Sequence, residues 1–257
     1  MNEYLLLLLI FLAGIITGFI NTLAGSGSLI SLPLLMFAGL PAPIANGTNR
    51  IGILIQGITA LITWKKKFPI KLKDDAVIII SACCGAVGGA FMATGLDKET
   101  LEVFIGGLLL FMLALMLIKP EKWLKQGDES NRKKSPLFVQ IIVFGAIGVY
   151  GGFIQAGVGF FLLAGLVWVG GYNLMKANSL KILITTIFTA FALPVFIIYN
   201  QIDWVMGFAL AAGASLGAFL AAKLAIKKGV GFVRIFLIVI IFLAALKLLN
   251  VDKLILK

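Results

Sequence analysis

Two cations stand beside polar residues in a chain that is otherwise uncharged over long stretches. Arg50 follows the segment 46–49 (NGTN), and Lys181 follows the segment 178–180 (NSL). Asn, Ser and Thr are common at helix starts, where backbone N–H groups lack partners. A cation inside an apolar helix costs at least about 2.5 kcal/mol, so it normally faces a cavity, a counter-ion or a ligand. These two segments therefore indicate anion binding.

Two glycine motifs interrupt the hydrophobic stretches at a fixed interval. Gly25 and Gly27 recur 132 positions later as Gly157 and Gly159, and an Ala-Asn dipeptide follows each motif at the same distance. Further matches continue along the same diagonal without a gap, which indicates an internal duplication. Each motif separates two hydrophobic segments, so the N–H groups and the positive dipole end of a helix start there would favour an anion.

The composition places these motifs in a membrane. The chain has 257 residues, of which 61% are hydrophobic and 13% are charged, and its mean hydropathy is +1.09. These values leave too few polar residues to cover a water-soluble globule of this length. The uncharged stretches at 4–49, 76–96, 135–175 and 182–202 are long enough to cross a bilayer as helices. The sequence therefore predicts an all-α polytopic membrane protein.

The hydrophobic segments fall into two groups of five on either side of a polar, basic linker. The first group spans about 4–23, 27–39, 46–64, 75–95 and 100–118, and the second about 137–156, 159–170, 178–199, 204–226 and 231–249. We therefore predict a first transmembrane repeat at 1–118, a linker at 119–136 and a second repeat at 137–257. This division gives eight to ten transmembrane helices, some of them broken or re-entrant.

The basic loops predict the orientation of the repeats. Residues 64–73 include five lysines, and the linker 119–136 includes six basic residues. The two spans between them put both loops on one face, which the positive-inside rule makes cytoplasmic. An odd number of crossings per repeat then makes the two copies inverted, as in many secondary transporters. In that plan the substrate binds near the midplane, between the broken segments 21–50 and 153–181.

Several function classes are disfavoured by what the sequence lacks. It has no histidine, no acidic residue deep in a predicted span and no phosphate-binding loop. Its two cysteines, Cys83 and Cys84, are adjacent, which suits neither a disulfide nor a metal site. We expect no enzyme activity, no cofactor and no metal. The net charge of +11 falls largely in short loops, which predicts contact with lipid rather than nucleic acid, and no pattern indicates an oligomeric state.

The segment 18–50, GFINTLAGSGSLISLPLLMFAGLPAPIANGTNR, resembles the N-terminal signature of the TauE/SafE sulfite exporter family of anion permeases. The resemblance rests on the glycine-rich break, Pro33 in the following short helix, the Gly-Leu-Pro turn and the Ala-x-Gly-Thr step, and it extends through the second copy. Ser28 departs from the family pattern, where a third glycine is common, and Gly165 stands where the first copy has Pro33. Membership implies transport of small anions such as sulfite, sulfoacetate or other organosulfonates across the plasma membrane, coupled to protons.

We predict that the substrate is held between the two broken segments by backbone N–H groups, hydroxyls, amides and the two cations. The predicted site residues are Gly25, Ser26, Gly27, Ser28, Asn46, Thr48, Asn49, Arg50, Gln155, Gly157, Gly159, Asn178, Ser179 and Lys181. The coupling proton has three candidate carriers: the substrate, Glu102 and Asp203. The same patterns also fit a carrier of another small solute, a non-transporting scaffold or assembly factor that docks through 119–136, and cations that extend to the membrane surface.

Overall fold

The computed structural model describes residues 3–64, 72–117 and 135–248, and within these ranges it contains nine α-helices and no strand. The helices are α1 (Glu3–Ala24), α2 (Ser28–Phe37), α3 (Ala42–Trp64), α4 (Leu72–Thr94), α5 (Lys98–Leu117), α6 (Leu137–Phe153), α7 (Val158–Trp168), α8 (Leu174–Ile198) and α9 (Trp204–Leu248). The predicted all-α class is confirmed. The predicted linker 119–136 lies outside the described residues except for its last two, and so does most of the basic loop 64–73.

Helices α3 and α8 begin four residues before their predicted starts. Pro43 explains the first difference, because proline fits the first turn of a helix, where its missing N–H is not needed. Asn173 explains the second, because its Oδ1 accepts a hydrogen bond of 2.9 Å from the backbone N–H of Lys176. The predicted helix starts at Asn46 and Asn178 are therefore wrong, since both residues lie one turn inside a helix.

Helix α9 is a single helix of 45 residues, where the sequence predicted two segments at 204–226 and 231–249. The predicted break between them is wrong. No proline interrupts this stretch, and a glycine within a helix costs only about 1 kcal/mol, so nothing forces the helix to end. At 1.5 Å per residue α9 is about 67 Å long, more than twice the roughly 30 Å hydrocarbon core of a bilayer. One crossing therefore uses less than half of it.

Four helices or parts of helices in the described ranges are long and apolar enough to cross a membrane: Glu3–Ala24, Asp75–Thr94, Leu174–Ile198 and Trp204–Lys227. Three shorter apolar helices, α2, α6 and α7, accompany them. Large apolar side chains also lie on the outside, with Phe37 90% exposed and Val103 75% exposed. Such a surface is unusual in water but normal in lipid. The chain is a multi-pass membrane protein.

Helices of one half of the chain pack mainly against helices of the other half. Helix α1 packs along α9, and α4 packs along α6; in the predicted repeats α1 corresponds to α6, and α4 to the first part of α9. The corresponding helices α3 and α8 contact each other, and they cross where a Cβ atom on Gly57 would overlap Oγ1 of Thr186. The short helices α2 and α7 pack on α3 and α8. The main helix contacts of one half are therefore matched in the other.

Small residues allow the two exchanged helix pairs to approach closely. Gly217 of α9 faces the carbonyl oxygen of Ile15 in α1, and Gly85 of α4 faces that of Gly145 in α6. A Cβ atom on either glycine would overlap the facing oxygen. Lipid supplies no hydrophobic drive for helix association, so close backbone packing of this kind holds membrane helices together.

We expect Gly89→Ala to destabilise the protein by about 1–3 kcal/mol, the usual cost of forcing extra atoms into a packed core. The new Cβ atom would overlap the backbone of Val149 and Phe153 in α6, and neither can move as a side chain would. Gly88 is the matched control, because a Cβ atom there meets nothing within 4 Å. Thermal unfolding in detergent measures both variants. Equal stability of Gly88→Ala and Gly89→Ala would contradict the close packing of α4 on α6.

Candidate functional site

The two glycine motifs lie against each other in the middle of the bundle, at the breaks between α1 and α2 and between α6 and α7. A Cβ atom on Gly25 would be 2.5 Å from the carbonyl carbon of Gly159, and one on Gly159 would overlap the Cα of Gly25. Gly25 and Gly157 have φ angles of +75° and +70°, which residues with a side chain rarely adopt. Glycine is therefore needed both for the turns and for their contact.

The side chain of Ser28 links the two breaks. Its hydroxyl donates to the carbonyl oxygen of Gln155 at 3.0 Å and accepts from the backbone N–H of Gly157 at 3.2 Å. Gln155 is fully buried with a φ of +64°, and its Nε2 donates to Oγ1 of Thr189 at 2.5 Å. Ser26 is also buried, and its carbonyl oxygen accepts from the first turn of α2. These bonds fix the position of one break relative to the other.

Arg50 is fully buried, and it caps the C-terminal end of α6. Its terminal nitrogens donate to four oxygens: the carbonyls of Gly151 (3.2 Å), Gly152 (2.5 Å) and Phe153 (3.5 Å), and Oε1 of Gln155 (3.4 Å). Its guanidinium also lies 4.2 Å from the ring centroid of Phe196. The last carbonyls of a helix carry the negative end of its dipole, so they neutralise part of the buried charge. Only Nε of Arg50 has no partner among the described residues.

Lys181 caps the C-terminal end of α1 in the corresponding way. Its Nζ donates to the carbonyl oxygens of Asn21 and Thr22, each at 3.2 Å, and the residue is only 2% exposed. Each cation therefore binds the first helix of the other half. An ammonium group has three N–H donors, so one donor of Lys181 remains beyond these two bonds. Lys181 also lines a cavity, whereas Arg50 lines neither of the two cavities described next.

The first cavity lies at the glycine breaks, between α3 and α8. It measures about 300 Å³, including the part that opens outwards. Gly25 and Gly159 form part of its wall. Its polar side chains are those of Asn21, Thr22, Gln56, Lys181, Thr185 and Thr186. These described lining residues include one cation and no carboxylate, so the electrostatics of the cavity favour an anion.

A second cavity, of about 190 Å³, adjoins the first and shares Asn21, Ile53 and Gln56 with it. It reaches the start of α2 and is also lined by Thr17, Gly27, Ser28, Ser31 and Asn49. Asn49 is 1% exposed; its Oδ1 accepts from the hydroxyl of Ser31 at 2.6 Å, and its Nδ2 has no partner in the described structure. An unpaired buried N–H donor is costly, so this amide is available to a ligand.

Two predicted site residues of α3 make contacts with the rest of the protein instead. The Oγ1 of Thr48 accepts a hydrogen bond of 2.8 Å from the backbone N–H of Asp203, before α9. The Nδ2 of Asn46 donates to the carbonyl oxygen of Phe153 at 2.8 Å, next to the cap made by Arg50. Neither residue lines the two cavities.

Two predicted site residues of α8 also lie away from both cavities. The hydroxyl of Ser179 donates to the carbonyl oxygen of Met175 at 2.9 Å, one turn back in the same helix. Asn178 is fully buried, and neither its Oδ1 nor its Nδ2 has a partner among the described residues. It therefore differs from the corresponding Asn46, which is bonded to the opposite half.

Sequence analysis missed Asn21, Thr22, Gln56, Thr185 and Thr186 as cavity residues. They are polar residues inside apolar helices, whereas the predicted site rested on the glycine breaks and the cations. A polar side chain within a membrane helix is itself expensive and usually functional. A search for such residues would have found Gln56, which is 5% exposed and lines both cavities.

The carboxylates proposed as proton carriers are engaged elsewhere. The Oε1 of Glu102 lies 3.9 Å from Nζ of Lys98 in the first turns of α5, and the Oδ1 of Asp203 accepts from a backbone N–H in the first turn of α9. Sequence analysis missed Asp75, the one carboxylate among the described residues that is buried; it accepts a hydrogen bond from the hydroxyl of Tyr172. None of the three lines either cavity.

Comparisons with known proteins agree with a membrane transporter. Residues 10–248 match the family described as sulfite exporter TauE/SafE. The chain is 30% identical to a "Probable membrane transporter protein" of Haemophilus influenzae over 95% of this chain and 94% of that protein. It is 27% identical to "Probable membrane transporter protein ORF9" of a Sinorhizobium species (95% and 92% covered) and 28% identical to "Probable membrane transporter protein YfcA" of Escherichia coli K12 (95% and 90% covered). No solved structure matches.

Proposed function

We infer that the substrate is a small anion, since this chain belongs to the sulfite exporter TauE/SafE family and is a membrane transporter. The proposed substrates are sulfur-containing or organic anions such as sulfite and sulfonates, including sulfoacetate. The protein carries them across the plasma membrane without changing them covalently. The proposed binding site is the first cavity, between the two glycine breaks.

The observation that carries this proposal is the environment of Lys181. The ammonium group is buried, lines the cavity and keeps one N–H donor beyond its two bonds to α1. The described lining holds no carboxylate to balance its charge. An anion in the cavity supplies that missing counter-charge, and a hydrogen bond between charged partners is stronger than one between neutral groups. A cationic substrate would meet repulsion at the same place.

Arg50 has a different role in the proposal from the one its sequence context predicted. Its terminal nitrogens are bonded to oxygens of α6 and of the following break, and it lines neither cavity. We assign it to the framework that holds the second glycine break against the first. It therefore supports the site without contacting the substrate in this conformation.

We propose that the two halves are inverted repeats and that they alternate access to the cavity. The exchanged packing of α1 on α9 and of α4 on α6 supports the repeats. The two helix caps differ, and alternation needs such an asymmetry. At the end of α6, Arg50 donates to four oxygens and Asn46 donates to one. At the end of α1, Lys181 donates to two oxygens and Asn178 has no described partner. In the opposite conformation the looser cap tightens and the tighter cap opens, as expected for inverted repeats that rock around a fixed site.

We propose that the coupled proton travels on the substrate. Among the described residues no carboxylate lines either cavity, and Glu102 and Asp203 are engaged in contacts at helix starts. Sulfite and carboxylates are anions of weak acids, so they can bind a proton themselves. Transport of the protonated substrate then moves a proton without a dedicated side chain.

Transport by the purified full chain in proteoliposomes tests the function. We expect saturable flux of sulfite, or of sulfoacetate through its carboxylate, that increases with an imposed pH gradient, acidification of the compartment that the substrate enters, and thermal stabilisation of the detergent-solubilised protein by the same anion. A ligand at a hundredfold excess over Kd adds about 2.7 kcal/mol. Choline and dimethyl sulfone, a cation and a neutral sulfur compound, are the controls. Absence of both flux and stabilisation with sulfite, sulfonates and carboxylates would contradict the proposal.

A further inference from the structure

The second cavity offers hydrogen-bond donors for which the proposed function gives no use. It contains Nδ2 of Asn49, buried and without a partner in the described structure. It also reaches the start of α2, where the backbone N–H groups of Gly27 and Ser28 donate to no other described group. The N-terminal end of a helix carries the positive end of its dipole. The unpaired amide and the helix start therefore both point to an acceptor group.

The two cavities adjoin, and each is lined by one member of a pair of polar residues that the repeat relates. Asn49 and Lys181 are 132 positions apart, the interval that relates the two repeats, and each lines one of the cavities. The shared wall is formed by Ile53, which is apolar, and by the amides of Asn21 and Gln56. Neither of these two amides is hydrogen-bonded to another described residue.

We propose that the two cavities form one elongated site for a short anion with an acceptor group at each end. This inference rests on the proposed function and narrows its substrate class. One acidic group binds the free N–H donor of Lys181 in the first cavity. The second acidic group binds Nδ2 of Asn49 and the N–H groups at the start of α2. A stem of one or two carbons between them passes Ile53, and Gln56 contacts the substrate at the junction.

The hydrogen-bonding groups of the two cavities support a joint site, because each cavity offers a donor that the described protein leaves unused. A substrate with one acidic group fills the first cavity and leaves Asn49 unpaired, which forfeits the gain from satisfying a buried donor.

Matched pairs of anions test the inference by calorimetric titration of the detergent-solubilised full chain. Ethanesulfonate and sulfoacetate differ only in that a carboxylate replaces a methyl group, and so do propionate and malonate. We expect the two-headed member of at least one pair to bind about tenfold or more tightly, the effect of one hydrogen bond to a charged group. In Asn49→Ala we expect the affinities of the two members of a pair to differ by no more than about threefold. In Lys181→Gln we expect both members to bind more weakly, with the ratio of their affinities unchanged.

Two further variants keep the test decisive. Gln56→Leu removes an amide that has no described protein partner, so we expect this variant to fold even if Asn49→Ala does not. We expect it to lower the same affinity ratio. Asn178→Ala removes a buried asparagine that lines neither cavity and leaves the ratio unchanged. Equal affinity for both members of each pair, or a ratio that Asn49→Ala and Gln56→Leu do not change, overturns the elongated site but leaves anion transport standing. Binding of sulfite with no binding of any of the four anions also overturns the elongated site, whereas no binding of sulfite or of any of the four contradicts the proposed function itself.

Discussion

Replacing Lys181 by Gln is expected to weaken substrate binding by about 10- to 100-fold. The variant loses a hydrogen bond between an ammonium group and an anion, and such charged bonds contribute about 1.5–3 kcal/mol, with tenfold in Kd for each 1.4 kcal/mol. It also removes the positive charge that the described cavity offers. Folding should survive, because the Gln amide still donates toward the carbonyls of Asn21 and Thr22 and a costly buried charge disappears.

Lys176→Gln is the matched control for this prediction. Lys176 lies in the first turn of the same helix, is exposed, and its Nζ is 4.6 Å from the ring centroid of Tyr172. Removing it changes the net charge of the protein by the same amount, but Lys176 lines neither cavity. Calorimetric Kd values for one anion in the parent and both variants measure the effect. If Lys181→Gln binds the anion as tightly as Lys176→Gln does, Lys181 is only a helix cap.

Replacing Arg50 by Gln is expected to lower stability by about 3 kcal/mol or more. Arg50 bonds the last three carbonyls of α6 and the side chain of Gln155, and Gln has too few donors to replace it. Each buried acceptor left without a partner costs about 1–3 kcal/mol. The contact with Phe196 is lost as well. We therefore expect a folding defect where Lys181→Gln shows a binding defect.

Chemical unfolding in detergent, with Arg50→Lys as a second variant, distinguishes a framework role from a ligand role. Lysine keeps the charge and three donors but not the planar fork of the guanidinium. It should therefore recover part of the stability, and the folded fraction should bind the anion with an affinity close to that of the parent. If Arg50→Gln keeps the stability of the parent and loses anion binding, Arg50 is a substrate ligand and not part of the framework.

The sequence predicted where the site lies better than which residues line it. The duplicated glycines located the two breaks, because close backbone contact and a positive φ require glycine whatever surrounds it. The cations could not be told apart in the same way. Arg50 and Lys181 both follow a short segment that begins with Asn, but they are one position out of register under the repeat, so Asn49, and not Arg50, corresponds to Lys181. Which side chain faces a cavity depends on helix rotation, which a one-residue offset changes by about 100°.

The ends of the helices were also predicted less accurately than their order. Asn46 and Asn178 have the residue type of a helix cap, but Pro43 and Asn173 begin the helices one turn earlier. The break expected near residues 227–230 does not occur, because lysines and glycines weaken a helix without ending it. Local residue preferences thus gave the order of the segments, and tertiary contacts decided where each begins and ends.

A crystal of the full chain soaked with selenite tests the proposed binding site directly. Selenite is a heavier analogue of sulfite, and the anomalous signal of selenium marks its position. We expect one peak in the first cavity, with a selenite oxygen about 2.7–3.2 Å from Nζ of Lys181. A peak beside the guanidinium of Arg50, or an empty cavity in crystals of protein that binds selenite in solution, would contradict the proposed binding site.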